Sequence, residues 1–238
     1  MVKAIGAICG HCAQPATLEA VTDQPNPADV DAFLDTTFVG EDAALSAALE
    51  ASDAAGLPRI AVSAQQGKFL SLLATAIGAR RILEIGTLGG YSTIWLARGA
   101  GSDARVVTLE AEPLHAEVAR ANLDRAGVGD RVEVVVGPAL QTLPSVNGPF
   151  DLVFIDADKE NTVGYLQWAV RLSRPGSVIV VDNVIRDGSV LAPPDDDPLA
   201  KAMRAALDMM ADHSQLDAAV LQTVGVKGWD GFALALVR

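Results

Sequence analysis

The chain has 238 residues, half of them apolar, and 30 acidic against 18 basic side chains give it a net charge of −12. This length and composition predict one domain with one sizeable core. The acidic balance disfavours nucleic acids and anionic membranes as partners, because both carry negative charge, and no apolar run approaches the roughly 20 residues of a membrane helix.

Residues 1–27 are predicted to form a flexible leader, of natural or expression-vector origin, before a single domain of residues 28–238. Both cysteines, Cys9 and Cys12, lie in this leader. Their C-x-x-C spacing is that of redox and metal pairs, but no strand-to-helix transition precedes it and no second ligand pair follows. Two incidental thiols are therefore the favoured interpretation. The rest of the chain needs no disulfide, which indicates a cytoplasmic protein.

Helical periodicity opens the predicted domain, and a regular alternation of strands and helices follows. Helices are predicted over residues 28–56, 64–77, 92–98, 112–126, 162–172 and 198–210. Strands are predicted over residues 81–85, 105–109, 132–136, 152–155, 177–181, 217–224 and 231–237. This order predicts an α/β fold with a parallel sheet covered by helices on both faces. The last two strands are predicted to form an antiparallel hairpin, with its turn at residues 228–231.

A glycine-rich turn follows the first predicted strand in RILEIGTLGGYS. Glycines allow the backbone to turn sharply and to approach a ligand closely, and Gly86 is the first of three here. The G-x-x-G-G spacing differs from the pyrophosphate-binding G-x-G-x-x-G. Glu84 would repel phosphates but attract a sulfonium. Glu110, at the end of the next strand, stands where a ribose diol is usually held, although a solvated acid there is common. Together these features point to S-adenosylmethionine.

Carboxylates also end two later strands. Asp156 follows the strand in VFID, and Asp182-Asn183 follow the next one. If these ends lie side by side, two carboxylates and an amide suit a hard cation such as Mg²⁺. The alternative is that Asp156 caps the following helix and that Asp182-Asn183 form a turn. The occurrence of such ends on successive strands favours the metal site.

Lys159 lies three residues beyond Asp156, so its amine can reach the predicted metal region. A divalent cation disfavours a second positive charge and lowers the pKa of a neighbouring amine. A neutral amine at this place can accept a proton from a substrate hydroxyl. The alternative is a solvated lysine in a cluster of charges.

The motifs LEIGTLGGYS, GPAL, FIDADKEN and VVDNVIRDGSV, with Glu110 at a strand end, resemble those of the cation-dependent catechol and caffeoyl-CoA O-methyltransferases. The similarity covers about residues 29–238. It implies a Rossmann-like methyltransferase fold, with a seven-stranded, mostly parallel sheet, an antiparallel last strand and helices on both faces. It also implies methyl transfer from S-adenosylmethionine to a hydroxyl of a catechol-like aromatic diol, with Mg²⁺, Mn²⁺ or Ca²⁺ as cofactor.

The same resemblance assigns roles to individual residues. The S-adenosylmethionine contacts are expected at Val62, Glu84, Gly86, Thr87, Ser92, Glu110, Ala139 and Asp158. The metal ligands would be Asp156, Asp182 and Asn183, with Asp156 also touching the substrate and Lys159 acting as general base. Asp187 occupies a position at which the plant enzymes carry a substrate-contacting Asn, and this departure argues against a phenylpropanoid-CoA acceptor.

Three other functions are weighed against this one. A nicotinamide-dependent oxidoreductase would share a Rossmann-like sheet, but the glycine spacing and the terminal hairpin disfavour it. A catalytically inactive, dimeric binding module is disfavoured by the intact acidic, amide and amine residues. An RNA methyltransferase is disfavoured by the negative charge. The family resemblance further implies a homodimer.

Overall fold

The computed structural model describes residues 26–238, in which seven strands form one sheet. The strands are β1 Arg81–Ile85, β2 Arg105–Glu110, β3 Val132–Val136, β4 Phe150–Ile155, β5 Ser173–Asp182, β6 Leu216–Gly225 and β7 Gly228–Val237. Their order across the sheet is β3-β2-β1-β4-β5-β7-β6. The neighbours among β1 to β5 are parallel, whereas β7 runs antiparallel to both β5 and β6. The predicted α/β sheet with a reversed last strand is confirmed.

Eight α-helices accompany the sheet within residues 26–238. They are α1 Pro27–Leu34, α2 Ala43–Ala54, α3 Ala64–Ala76, α4 Tyr91–Ala100, α5 Pro113–Arg125, the single turn α6 Ala139–Thr142, α7 Thr162–Arg171 and α8 Pro198–Asp212. None of these helices combines the length and hydropathy that a membrane-spanning segment requires.

The two faces of the sheet bury two apolar clusters, because successive strand side chains point to opposite sides. Ile82 and Phe154 pack with Leu70 and Ile94 beneath α3 and α4. Residues such as Leu83 and Ile155 face the other side, where α7 and α8 cover them. The central strands are consequently apolar on both faces, which explains why their sequences are nearly continuous hydrophobic runs.

The continuous helix predicted over residues 28–56 is wrong, because the structure breaks it between α1 and α2. The chain passes through a π-helical turn at Asp35–Val39 and reaches Gly40, whose φ is 73°. Asp42 then begins α2 by accepting hydrogen bonds from two backbone N–H groups, each at 3.0 Å. A glycine that takes a left-handed conformation followed by a capping aspartate ends one helix and starts another.

The predicted hairpin turn at residues 228–231 is also wrong. Pairing of β6 with β7 continues to Gly225 and Gly228, so the turn consists of Val226 and Lys227. The aspartate that suggested a turn, Asp230, instead accepts the backbone N–H groups of Ile185 and Arg186, both at 3.0 Å. Asp230 thus stabilises the loop after β5.

The predicted leader of residues 1–27, with Cys9 and Cys12, lies outside the described residues except for its last two positions. Asn26 caps α1 by accepting the N–H of Asp29 at 3.0 Å, and the Asp29 side chain accepts the N–H of Asn26. Such a reciprocal pair fixes the start of a helix, so α1 begins at Pro27, one residue before the predicted domain boundary.

Candidate active site

A cavity of about 500 Å³ opens at the carboxyl ends of β1, β2 and β4. This is where the strand order reverses in the sheet, and it is the usual ligand-binding place of an open α/β fold. Ten of the predicted site residues line it: Val62, Gly86, Thr87, Ser92, Glu110, Ala139, Asp156, Asp158, Lys159 and Asn183. Three others, Glu84, Asp182 and Asp187, do not.

The glycine turn brings the ends of β1, β2 and β4 together. The N–H of Gly86 donates to the carbonyl of Leu109 at 3.0 Å, and φ at Gly86 is 99°. A Cβ at this position would lie 2.0 Å from the carbonyl oxygen of Asp156. Both the conformation and the close approach therefore require glycine.

Glu84 lies beneath the cavity and is fully buried. Its carboxylate accepts hydrogen bonds from the hydroxyl groups of Ser92, Thr93 and Thr108. Burial raises the pKa of Glu84 to about 7, although these hydroxyls oppose the rise. The carboxylate thus holds the start of α4 against β2, and its link to the cavity runs through Ser92.

Glu110 ends β2 and lines the cavity. Its Oε2 accepts the N–H groups of Thr87 and Leu88 at 3.2 and 2.7 Å, and its Oε1 accepts the N–H of Glu112 at 3.0 Å. His115 Nδ1 lies 3.4 Å from Oε1. A carboxylate has about four lone-pair sites, so acceptor capacity remains for a ligand hydroxyl.

The two predicted metal-binding aspartates are neighbours. Ile155 of β4 is in register with Val181 of β5, so Asp156 and Asp182 follow side by side on parallel strands. Neighbouring strands are roughly 4.8 Å apart. This spacing allows both carboxylates to face one ion.

The charges around this pair are unequal. Lys159 Nζ lies 2.8 Å from Asp156 Oδ1 and forms an ion pair with it. Burial, and then the charge of Asp156, raise the pKa of Asp182 above its ordinary value. Asp182 Oδ1 accepts the N–H of Asn183 at 2.8 Å, and Asn183 has a left-handed backbone with a φ of 59°. Among the described residues, Lys159 and Gln66 lower the pKa of Asp182 by less than burial and Asp156 raise it.

The donor set fits a hard divalent cation. Within residues 26–238, no three His, Cys, Asp or Glu side chains are grouped so that they could hold a metal. A site at Asp156 and Asp182 must therefore take its third protein ligand from an amide such as that of Asn183. Two carboxylate ligands and one amide oxygen suit Mg²⁺, Mn²⁺ or Ca²⁺ and do not suit zinc.

Asp158 accepts hydrogen bonds from two residues that follow it in the chain, and sequence reasoning missed both. Tyr165 Oη donates to Asp158 Oδ1, and Asn161 Nδ2 donates to Oδ2 at 2.5 Å. Burial, together with the acceptor Asp158, raises the pKa of Tyr165. Both partners line the cavity. Their spacing of three and seven residues from Asp158 places them on one helical face, a signal that was available in the sequence.

Asp187 lies apart from the cavity. It is exposed and left-handed, with a φ of 53°, in the loop after β5. Its Oδ1 is 3.9 Å from the position that a Cβ would take at Gly228, at the start of β7. The structure therefore brings Asp187 to the β6–β7 hairpin and not to the other predicted site residues.

Comparisons with known proteins agree with this arrangement. Residues 37–237 match a family described as O-methyltransferase. The chain is 74% identical to a catechol O-methyltransferase of Mycobacterium tuberculosis over 216 residues, which cover 90% of this chain and 98% of that protein.

Two solved structures are similar along almost the whole fold. An O-methyltransferase from Bacillus cereus in complex with S-adenosylhomocysteine is 49% identical, with a TM-score of 0.87, and covers 89% of this chain and 98% of that one. TomG, a Streptomyces achromogenes O-methyltransferase involved in tomaymycin synthesis and bound to S-adenosylmethionine, is 49% identical. Its TM-score is 0.86, and the matched region covers 89% of this chain and 97% of the TomG chain.

Proposed function

The chain belongs to the O-methyltransferase family, and we propose that it transfers a methyl group from S-adenosylmethionine to one hydroxyl of a catechol-like aromatic diol, with the help of a divalent cation. One observation carries this proposal. Asp156 at the cavity wall and the buried Asp182 end two neighbouring strands, and the amine of Lys159 lies 2.8 Å from Asp156. Family membership removes the nicotinamide-dependent oxidoreductase as an alternative.

The cofactor assignment is supported by the relatives bound to S-adenosylhomocysteine and S-adenosylmethionine. In this chain, Glu110 would accept a ribose hydroxyl, and the turn at Gly86 would let the cofactor lie close to the backbone. Asp158, fixed by Tyr165 and Asn161, would bind the cofactor near its reacting end. Glu84 would act indirectly, by holding Ser92 at the cavity wall.

The metal assignment rests on the donor set. Asp156, Asp182 and Asn183 would hold Mg²⁺ or a similar cation, which supplies Lewis-acid stabilisation to the oxygen that loses its proton. Asp182 is buried beside a like charge, an arrangement that is costly unless a cation compensates it.

The protein residues then carry out two tasks. Lys159, once neutral, accepts the proton of the acceptor hydroxyl at Nζ. The walls of the cavity hold the acceptor oxygen in line with the methyl carbon and the sulfur, which replaces a bimolecular encounter by an oriented one. The oxygen–carbon bond forms as the carbon–sulfur bond breaks. The products are a methyl ether, S-adenosylhomocysteine and the Lys159 ammonium.

The experiment is a methyl-transfer assay on catechol with and without EDTA, for the native chain, Asp182→Asn and the exposed control Asp212→Asn. We expect turnover that EDTA abolishes and added Mg²⁺ restores, a loss of at least about a hundredfold in Asp182→Asn, and native turnover in Asp212→Asn. Full activity in EDTA would contradict the metal role. Failure to methylate catechol with Mg²⁺ present would contradict the acceptor class.

A homodimer is also part of the proposal. β6 is an edge strand of the sheet, and its residues 217–224 are all exposed. Val224, Val226 and Phe33 of α1 are each about two-thirds exposed. An unpaired strand edge beside apolar side chains is a surface that a second copy can cover. Light scattering should give the mass of a dimer, and Val224→Glu should give a monomer. A native monomer would contradict this part.

We also propose a cytoplasmic location. Residues 26–238 contain no cysteine, so this part of the chain does not depend on an oxidising compartment.

A further inference from the structure

The tip of the β6–β7 hairpin reaches the wall of the cavity. The N–H of Val226 donates to Asp31 Oδ2 of α1 at 2.7 Å. Lys227 Nζ donates to the carbonyl oxygen of Ala61, in the connection between α2 and α3. Ala61 lines the cavity. α1 therefore fixes the tip. Lys227 is exposed and does not itself line the cavity, but its ammonium contacts the backbone of a residue that does.

Asp156 and Asp182 are the acidic groups whose charges act on this ammonium. Burial lowers the pKa of Lys227, whereas the charges of Asp156 and Asp182 raise it, so the amine lies within electrostatic reach of both carboxylates.

Lys227 differs from the other cationic groups near the cavity. Lys159 is paired with Asp156, and His115 lies against Glu110. Within residues 26–238, Lys227 has no carboxylate within 4.0 Å, and its hydrogen-bond partner is a neutral carbonyl. Asp187 lies near the same tip but forms no ion pair with it. An ammonium held by a neutral acceptor can exchange that acceptor for an anion.

We propose that Lys227 is a specificity-determining residue that binds a carboxylate substituent on the acceptor, so that the preferred aromatic diols are catecholic acids. This inference rests on the proposed methyl transfer to a diol. A carboxylate in place of the Ala61 carbonyl gains a charge-assisted hydrogen bond, about twice as strong as a neutral one. A diol with an ammonium substituent would meet a like charge at the same place and would be disfavoured.

The selectivity test compares three acceptors that share one diol: 3,4-dihydroxybenzoate, catechol and 2-(3,4-dihydroxyphenyl)ethylamine. The native chain should show the highest kcat/KM for the acid and the lowest for the amine. Lys227→Met should lower the acid-to-catechol ratio of kcat/KM about tenfold or more, and Lys227→Arg, which keeps the charge, should retain most of the preference. The matched control Lys201→Met removes a surface lysine paired with Asp195 and should leave the ratio unchanged.

A native preference for the amine, or an equal loss on all three acceptors in Lys227→Met, would overturn the inference. Turnover of catechol tests the proposed methyl transfer, whereas the ratio between the acid and catechol tests the role of Lys227. Failure of one can therefore be distinguished from failure of the other. If no diol is turned over, calorimetric binding of 3,4-dihydroxybenzoate and catechol to protein loaded with S-adenosylhomocysteine still decides the question. A higher affinity for the acid that Lys227→Met abolishes supports the inference, and equal affinities overturn it.

Discussion

Replacing Glu84 with Gln should change how the stability of the protein depends on pH. Glu84 is fully buried, and burial raises the pKa of its carboxyl from 4.5 to about 7. An acid whose pKa is raised by folding stabilises the protein in its protonated form. That contribution is fully present below pH 4.5 and is lost as the pH rises through 7, because the unfolded chain gives up the proton first. Gln at this position keeps the shape and cannot ionise.

The expected size follows from the shift. One pKa unit corresponds to 1.36 kcal/mol, so the rise from 4.5 to about 7 predicts a change of about 3 kcal/mol. Urea unfolding at pH 5, 6, 7 and 8 should show the native chain losing about this much stability relative to Glu84→Gln. Asp182, whose pKa is also raised, is present in both proteins and cancels from the difference. A stability difference that stays constant across this pH range would refute the burial argument.

Three further substitutions test separate parts of the site. Gly86→Ala should abolish binding of S-adenosylhomocysteine in calorimetry, or prevent folding, because its Cβ would lie 2.0 Å from a carbonyl oxygen of Asp156; native affinity would contradict the close approach. Lys159→Met should lower kcat by about 10²–10⁴-fold, while calorimetry should show an unchanged affinity for S-adenosylhomocysteine. An unchanged kcat would exclude Lys159 as the general base. Tyr165→Phe removes a donor to Asp158 and should weaken S-adenosylhomocysteine binding about tenfold; equal affinity would exclude the positioning role.

The sheet could be predicted from the sequence because each strand is marked by the residues of its own short segment. Apolar runs such as residues 81–85 and 152–155 form central strands that are buried on both faces, and carboxylates mark the strand ends at which the cavity opens. The parallel register then brings Asp156 beside Asp182 without any information beyond the order of the strands. The same reasoning located the glycine turn, since a cluster of glycines after a buried strand has few other structural uses.

The helix break at Gly40 and the partners of Asp158 had local signals, whereas other differences come from partners that are distant in sequence. Asp230 resembles a turn residue, but it stabilises a loop at residues 185 and 186. Glu84 is predicted to contact the cofactor, and in the structure its carboxylate lies outside the cavity lining and accepts hydrogen bonds from Thr93 and Thr108. The sequence analysis assigns no role to Lys227, whose contact with Ala61 forms only when the hairpin packs against the connection between α2 and α3. Local pattern cannot predict such contacts, because they depend on how elements pack together.

The most direct test of the account is diffraction from crystals grown with Mn²⁺, S-adenosylhomocysteine and a catechol. The account predicts one anomalous peak bound by the side-chain oxygens of Asp156, Asp182 and Asn183, with a diol hydroxyl between it and Lys159 Nζ. A peak elsewhere, or a diol bound away from these carboxylates, would contradict it.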